Sequence, residues 1–299
     1  MTAEKSSRSR SGSSARGTVF PIVEVFGHRW DATTASATDA FDRRRCPFTN
    51  SNCEKFQQYG YGYCSVPYAA ADDAQTARTY AVCDHRLDGQ PLKYVVDDHF
   101  GSRRRLVVPE IVLTDPKTSF DFVACDPTNL DDIIAIETQA IDIRGGGVGP
   151  AFAAWRDGRP ADWRSYFTKE ATTKGRKDDV AYGVNMANIY KRLGLQVAVK
   201  GSYLKGIRVP FYVLMQHRPF QYLRKRIRFE PSSENWDVTF VTFEYTDHVL
   251  PDGSMEFAHM DTVRTTISSY VAALASDAGM AEKERSAFLA RVRRKAGLP

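Results

Sequence analysis

Two carboxylates and an amide form the clearest chemical suggestion in this chain. Asp121 sits in "SFDF", and Glu137 and Gln139 sit in "DDIIAIETQAIDIRGGG", residues Asp131 to Gly147. A glutamate inside an apolar run is costly unless something pairs with it. In a strand, residues two apart share a face, so Glu137 and Gln139 point one way while Ile136 and Thr138 point the other. Fifteen residues separate Asp121 from Glu137, a gap that a hairpin or an adjacent strand pair closes. Two carboxylates converging on a strand face suit a hard cation, and Mg2+ prefers such oxygen ligands together with waters. An aspartate, a second acid, one free position and a polar residue outline a site for metal-assisted phosphodiester hydrolysis. There the metal activates water and stabilises the charge on the phosphate. By itself the outline is also that of structural acids at strand ends.

The cysteines are the second chemical group. There are five, Cys46, Cys53, Cys64, Cys83 and Cys125, and four of them fall within 38 residues as C-x6-C-x10-C-x18-C. Disulfides are not expected in a reducing cytosol. Four thiolates in one loop-rich segment suit a tetrahedral zinc or iron site. The segment "CPFTNSNCEKFQQYGYGYC" is rich in Gly, Asn and Tyr and has no long helical period. It buries little apolar surface, so a metal would supply folding energy. The tight C-x2-C knuckle is absent, and unlinked buried cysteines are the competing reading. Cys125, in "DFVACDP", reads as a buried apolar-type cysteine with no neighbouring base to activate it.

These residues must be positioned by the surrounding elements. The chain has 299 residues and a net charge of +5, enough for one large domain or two small ones. No run is long and apolar enough to span a bilayer. Residues 1–17, "MTAEKSSRSRSGSSARG", read as a disordered basic tail rather than a secretory signal. The expected location is the cytoplasm. Residues 18–95 read as a four-cysteine metal-binding module, and residues 96–299 as an α/β domain. In that domain "RRLVVPEIVLT", "FDFVAC", "DIIAIETQAIDI", "VPFYVLMQ" and "WDVTFVTFEYT" predict strands. Met186, Ile189 and Leu193 predict a helix, and "HMDTVRTTISSYVAALA" and "EKERSAFLARVRRKA" predict two closing helices. Basic residues cluster at Arg43, Arg103, Arg224 and Arg291, which makes a polyanionic partner plausible.

The sequence resembles the NotI-type restriction endonucleases, rare cutters of GC-rich palindromes. "FGHRW" and "CPF" resemble the N-terminal module of that family, and the four cysteines resemble its metal site. "SFDF" followed by "IETQAIDIRG" resembles its active-site strands, with the pattern Asp…Glu-x-Gln. "VNMANIYKR", Gln196, Lys200 and "SSENWDVTFVTFEY" extend the likeness toward the C-terminus. The resemblance implies a restriction-endonuclease-like core, written PD-(D/E)XK, with a mixed sheet flanked by helices. It implies Asp121 and Glu137 as Mg2+ ligands, and Gln139 as the residue that orients water or contacts the scissile phosphate. It implies structural iron on Cys46, Cys53, Cys64 and Cys83, with zinc as the alternative. Asp142 matches as well, in a supporting, DNA-facing or structural role. The implied reaction is a double-strand cut at a GGCC-centred site, leaving 5′ overhangs. The implied setting is a bacterial cytoplasm, where a cognate methyltransferase protects host DNA. A palindrome calls for a homodimer on double-stranded DNA. G·C pairs offer N7 and O6 of guanine to cations, and Arg144, Lys191, Arg192 and Lys200 are the candidate contacts.

Two further readings accompany this one. A four-cysteine DNA-binding regulator explains the cysteines and basic clusters but has no use for Asp121, Glu137 and Gln139 together. A related nuclease acting on structured or modified DNA keeps the site and changes the substrate.

Overall fold

The longest strands of the chain carry the residues with the highest β-propensity. The computed structural model describes residues 19–69, 76–115, 117–145, 147–176, 180, 182–276 and 285–298. The tail expected over 1–17 lies outside the described residues. Six strands, β1 (Leu106–Thr114), β2 (Lys117–Asp126), β3 (Asn129–Gln139), β4 (Phe211–Gln216), β5 (Val238–Val249) and β6 (Met255–Thr265), form one mixed sheet in the order β6-β5-β4-β3-β2-β1. From β1 to β3 the chain runs as an antiparallel meander. β3, β4 and β5 are parallel. The fold is therefore α/β, with helices accompanying a mixed sheet.

Position in the sheet explains composition. β4, "FYVLMQ", has no residue more than 2% exposed. A strand between two parallel neighbours is covered on both faces and reads as a continuous apolar run. β1 is an edge strand. It carries Pro109 and leaves Leu106 and Val112 more than half exposed, and proline is tolerated where a backbone donor faces solvent.

The chain folds into two compact units, each discontinuous in sequence. One comprises residues 1–92, 140–185 and 244–258, and the other 93–139, 186–243 and 259–299. The junctions at 243/244 and 258/259 fall inside β5 and β6. The boundary expected at 95/96 falls inside the helix Gln90–Phe100.

The first unit holds the sheet of His28–Arg29, Glu24–Val25, Tyr63–Tyr68 and Arg78–Ala81. It also holds the helices Ala35–Arg43, Glu54–Tyr59, Gly149–Arg156 and Trp163–Thr173. Buried Glu24 anchors it, accepting from Ser65 Oγ (2.7 Å) and Tyr245 Oη (2.6 Å) and facing Arg86 Nε at 3.2 Å.

One expected helix is half strand. "HMDTVRTTISSYVAALA" begins inside β6, and its helix spans only Ile267–Ser276. Thr and Val alternating with charged residues favour a strand. The helix starts where Asp237 Oδ2 accepts the Ile267 N–H (3.0 Å), which satisfies one orphan donor of its first turn.

Candidate active site

Asp121 and Glu137 lie on neighbouring strands. The register Phe122↔Ile136 between β2 and β3 places them side by side. Asp121 Oδ2 accepts from Thr138 N (2.8 Å) and Thr138 Oγ1 (3.1 Å). Its Oδ1 has no hydrogen bond among the described residues. Thr138 thus fixes the Asp121 carboxylate while leaving one oxygen for a ligand.

Glu137 is 5% exposed. Both its oxygens accept from Lys200 Nζ, each at 2.6 Å. Lys200 comes from the long helix Met186–Gly206 and is itself only 8% exposed. Burial pushes the Glu137 carboxyl up to about 7; the Asp121 charge pushes the same way, and Lys200 opposes both. Lys200 thus offsets only part of what burial and the Asp121 charge cost the Glu137 carboxylate.

Lys200 is the residue whose role changes most. The resemblance makes it a DNA contact, but the side chain is buried against Glu137 and presents no cation at the surface. A signal for this exists in the sequence. Ile189, Leu193, Val197 and Leu204 are buried along the same helix, and Lys200 occupies that stripe at helical spacing. A lysine on a buried stripe needs a carboxylate opposite it.

Gln139 ends β3, half-buried, opposite Met215 of β4. Because β3 and β4 are parallel, Gln139 and the pair Gln216–His217 fall at the same edge of the sheet. Nothing in the sequence pattern singles out His217. Thr242 Oγ1 donates to Asp261 O (3.2 Å), so it accepts the His217 Nδ1–H at 3.0 Å. Gln221 Nε2 lies 2.7 Å from His217 Nε2 and donates to it. Burial holds the His217 pKa below its usual value, so the ring is neutral at neutral pH.

The remaining candidates are placed as follows. Lys191 and Arg192 are exposed on the first turns of the long helix. Arg144 is exposed on the strand Ile143–Gly145 of the first unit. Asp142 belongs to that unit too, where its carbonyl accepts from Asn185 N (2.8 Å).

All five cysteines are buried and free. The Cys64 and Cys83 thiols hydrogen-bond to each other, and this bond is the main reason that Cys83 drops to about 6 and Cys64 rises well above its usual value. Cys46 and Cys53 are raised chiefly by burial and both feel the Cys83 charge. Gly27 N donates to Cys64 Sγ at 3.3 Å. Cys83 is thus the thiol whose charge the other three feel. Among the described residues, no three His, Cys, Asp or Glu side chains are close enough to hold a metal ion as they stand.

No known protein family matches the chain. No curated protein matches it either. Among the described residues, no helix is long and apolar enough to cross a membrane.

Proposed function

We propose that the chain is a Mg2+-dependent type II restriction endonuclease with a PD-(D/E)XK-type core, cutting a GC-rich, GGCC-centred palindrome as a homodimer. The observation that carries this reading is the side-by-side pair Asp121 and Glu137, with Lys200 Nζ on both Glu137 oxygens. Two carboxylates side by side, Glu137 buried and Asp121 half-buried, are hard-cation ligands by donor chemistry. Asp121 and Glu137 would hold Mg2+, which when bound supplies a Lewis acid and a more acidic water.

The residues of the chain do the rest. Thr138 holds Asp121 in place. Gln139 lies at the edge where the phosphate enters and offers an amide donor without charge. Lys200 supplies the ammonium that the Gln139 position lacks. It donates to both Glu137 oxygens, and its N–H groups would stabilise the anionic transition state. Cys46, Cys53, Cys64 and Cys83 would hold iron, or zinc, as a folding element. Their donor chemistry fits, while their spacing is looser than a ligand shell.

The test is digestion of a sequenced GC-rich DNA by purified protein, with and without Mg2+, followed by sequencing of the ends. Discrete Mg2+-dependent breaks at one palindrome are expected. DNA binding with no breaks under any divalent cation rejects the nuclease and leaves the four-cysteine regulator.

A further inference from the structure

The first unit contains an open cavity of about 560 Å3 that the proposed nuclease site does not use. That volume is in the range of pockets that take small organic ligands. Its walls are the rings of Phe26, Trp30, Phe41, Phe56, Phe152 and Trp155. The rings brace one another: Phe41 meets Trp155 at 5.1 Å, Phe152 meets Trp155 at 5.5 Å and Phe26 meets Phe56 at 5.8 Å. Trp155 Nε1 donates to Trp30 O at 2.8 Å. The walls are therefore preformed.

The polar lining is sparse and of both signs. Asp31 is already paired with Arg29 at 2.7 Å. Asp42 is exposed and makes no hydrogen bond or ion pair among the described residues. The Arg44 guanidinium lies 4.4 Å from the centroid of the Phe56 ring. Arg156 also lines the opening and, among the described residues, reaches only its sequence neighbour Asp157, at 3.4 Å.

Six rings, one unpartnered carboxylate and two guanidiniums ask for a flat ligand that carries an N–H edge and an anion. A nucleotide has all three. An organic cation matches the rings and the carboxylate but is opposed by the two arginines. We propose that this pocket binds a nucleotide, with the base against the aromatic rings, its amino edge on Asp42 and its phosphate on Arg44 and Arg156. Aromatic walls grip any base through its π face, and a base turned out of a duplex is read in such a pocket. The proposal rests on the reading of the protein as a DNA-acting enzyme, and the nucleotide is one turned out of DNA. A free mononucleotide offers the same chemistry.

Trp30 and Trp155 report occupancy through quenching of their emission. The full-length protein is titrated with dAMP, with a single strand containing 2-aminopurine, and with a duplex containing it. Saturable quenching by the strands and a rise in aminopurine fluorescence in the duplex are expected. Asp42→Asn and Arg44→Gln, both at exposed positions, each weaken binding by about tenfold, as loss of a hydrogen bond to a charged group does. Quenching by dAMP without a duplex response supports the pocket and assigns it to free nucleotide. Quenching by choline but not by nucleotide overturns the proposal, as does nucleotide binding that ignores both variants. A protein that cleaves DNA but shows no quenching overturns this proposal alone. One that takes up nucleotide and cleaves nothing overturns the nuclease reading alone.

Discussion

At the scale of single residues, two buried glutamates show the difference between a structural and a poised carboxylate. Glu24 takes two hydroxyls on Oε2 and faces the buried Arg86 guanidinium with Oε1, an ion pair at 3.2 Å without a hydrogen bond. Glu137 has one lysine for both oxygens and a second carboxylate beside it. Glu137→Ala is expected to abolish Mg2+-dependent cleavage while DNA affinity changes little; retained cleavage would sink the assignment. Lys200→Met makes a sharper prediction, because it leaves Glu137 buried without its cation. Glu137 is raised to about 7 in the folded protein from an ordinary 4.5, so its contribution to stability is complete below 4.5 and is lost as pH rises through the folded value. Removing Lys200 raises the folded value further. The variant should match the wild type near pH 5 and fall behind it above pH 7, by about 3–5 kcal/mol where the charge is forced. Denaturant melts at the two pH values measure this. A cost independent of pH would mean that Lys200 serves packing alone.

At the scale of elements, the strands carrying Asp121 and Glu137 were legible because strand periodicity is short and their apolar residues are β-branched or aromatic. "VPFYVLMQ" became β4, and "DIIAIETQAIDI" became β3 only as far as Gln139, its Ile143 starting the separate strand Ile143–Gly145. The helices Gly149–Arg156 and Trp163–Thr173 were not read, since they are short and their buried residues are largely alanine and aromatic, without a run of aliphatic side chains at helical spacing. The Lys200 contact was hidden for another reason: it joins residues 63 positions apart, and only the burial of one helix face reveals it. That helix also has a steric check beside Lys200. A Cβ on Gly201 would sit 2.6 Å from Ile267 Cδ1 and 3.3 Å from its Cγ1. Gly201→Ala asks only the end of the Ile267 side chain to move, and alanine favours the helix by about 1 kcal/mol over glycine, so little net change in stability is expected. Gly201→Leu overfills the contact, with an expected cost of about 1–3 kcal/mol and a loss of cleavage as Lys200 shifts. Unfolding midpoints and cleavage rates of the two variants, measured together, separate packing from chemistry.

At the scale of the whole molecule, charge and thiols govern what the protein can hold. The net charge of +5 is modest, so a DNA partner must be met by local clusters rather than by the overall field. Arg144 and Lys191 are exposed. Replacing either by Ala should lower the slope of log affinity against log salt by about one if it meets a phosphate; an unchanged slope assigns that residue to solvent. The cysteines make the last prediction. Cys46 and Cys53 are held protonated chiefly by burial, and Cys64 by its bond to Cys83. A metal that draws in all four must expel those protons, so its affinity should rise with pH. Protein purified from cells should carry iron or zinc, and Cys64→Ser should lower both metal content and folded yield. Elemental analysis beside thermal melts at pH 6 and pH 8 decides the matter. Metal that is retained more tightly at pH 8, with a matching gain in melting temperature, makes the thiols a folding site. Protein that is metal-free and fully stable at both values makes them an ordinary buried cluster held by the Cys64–Cys83 bond.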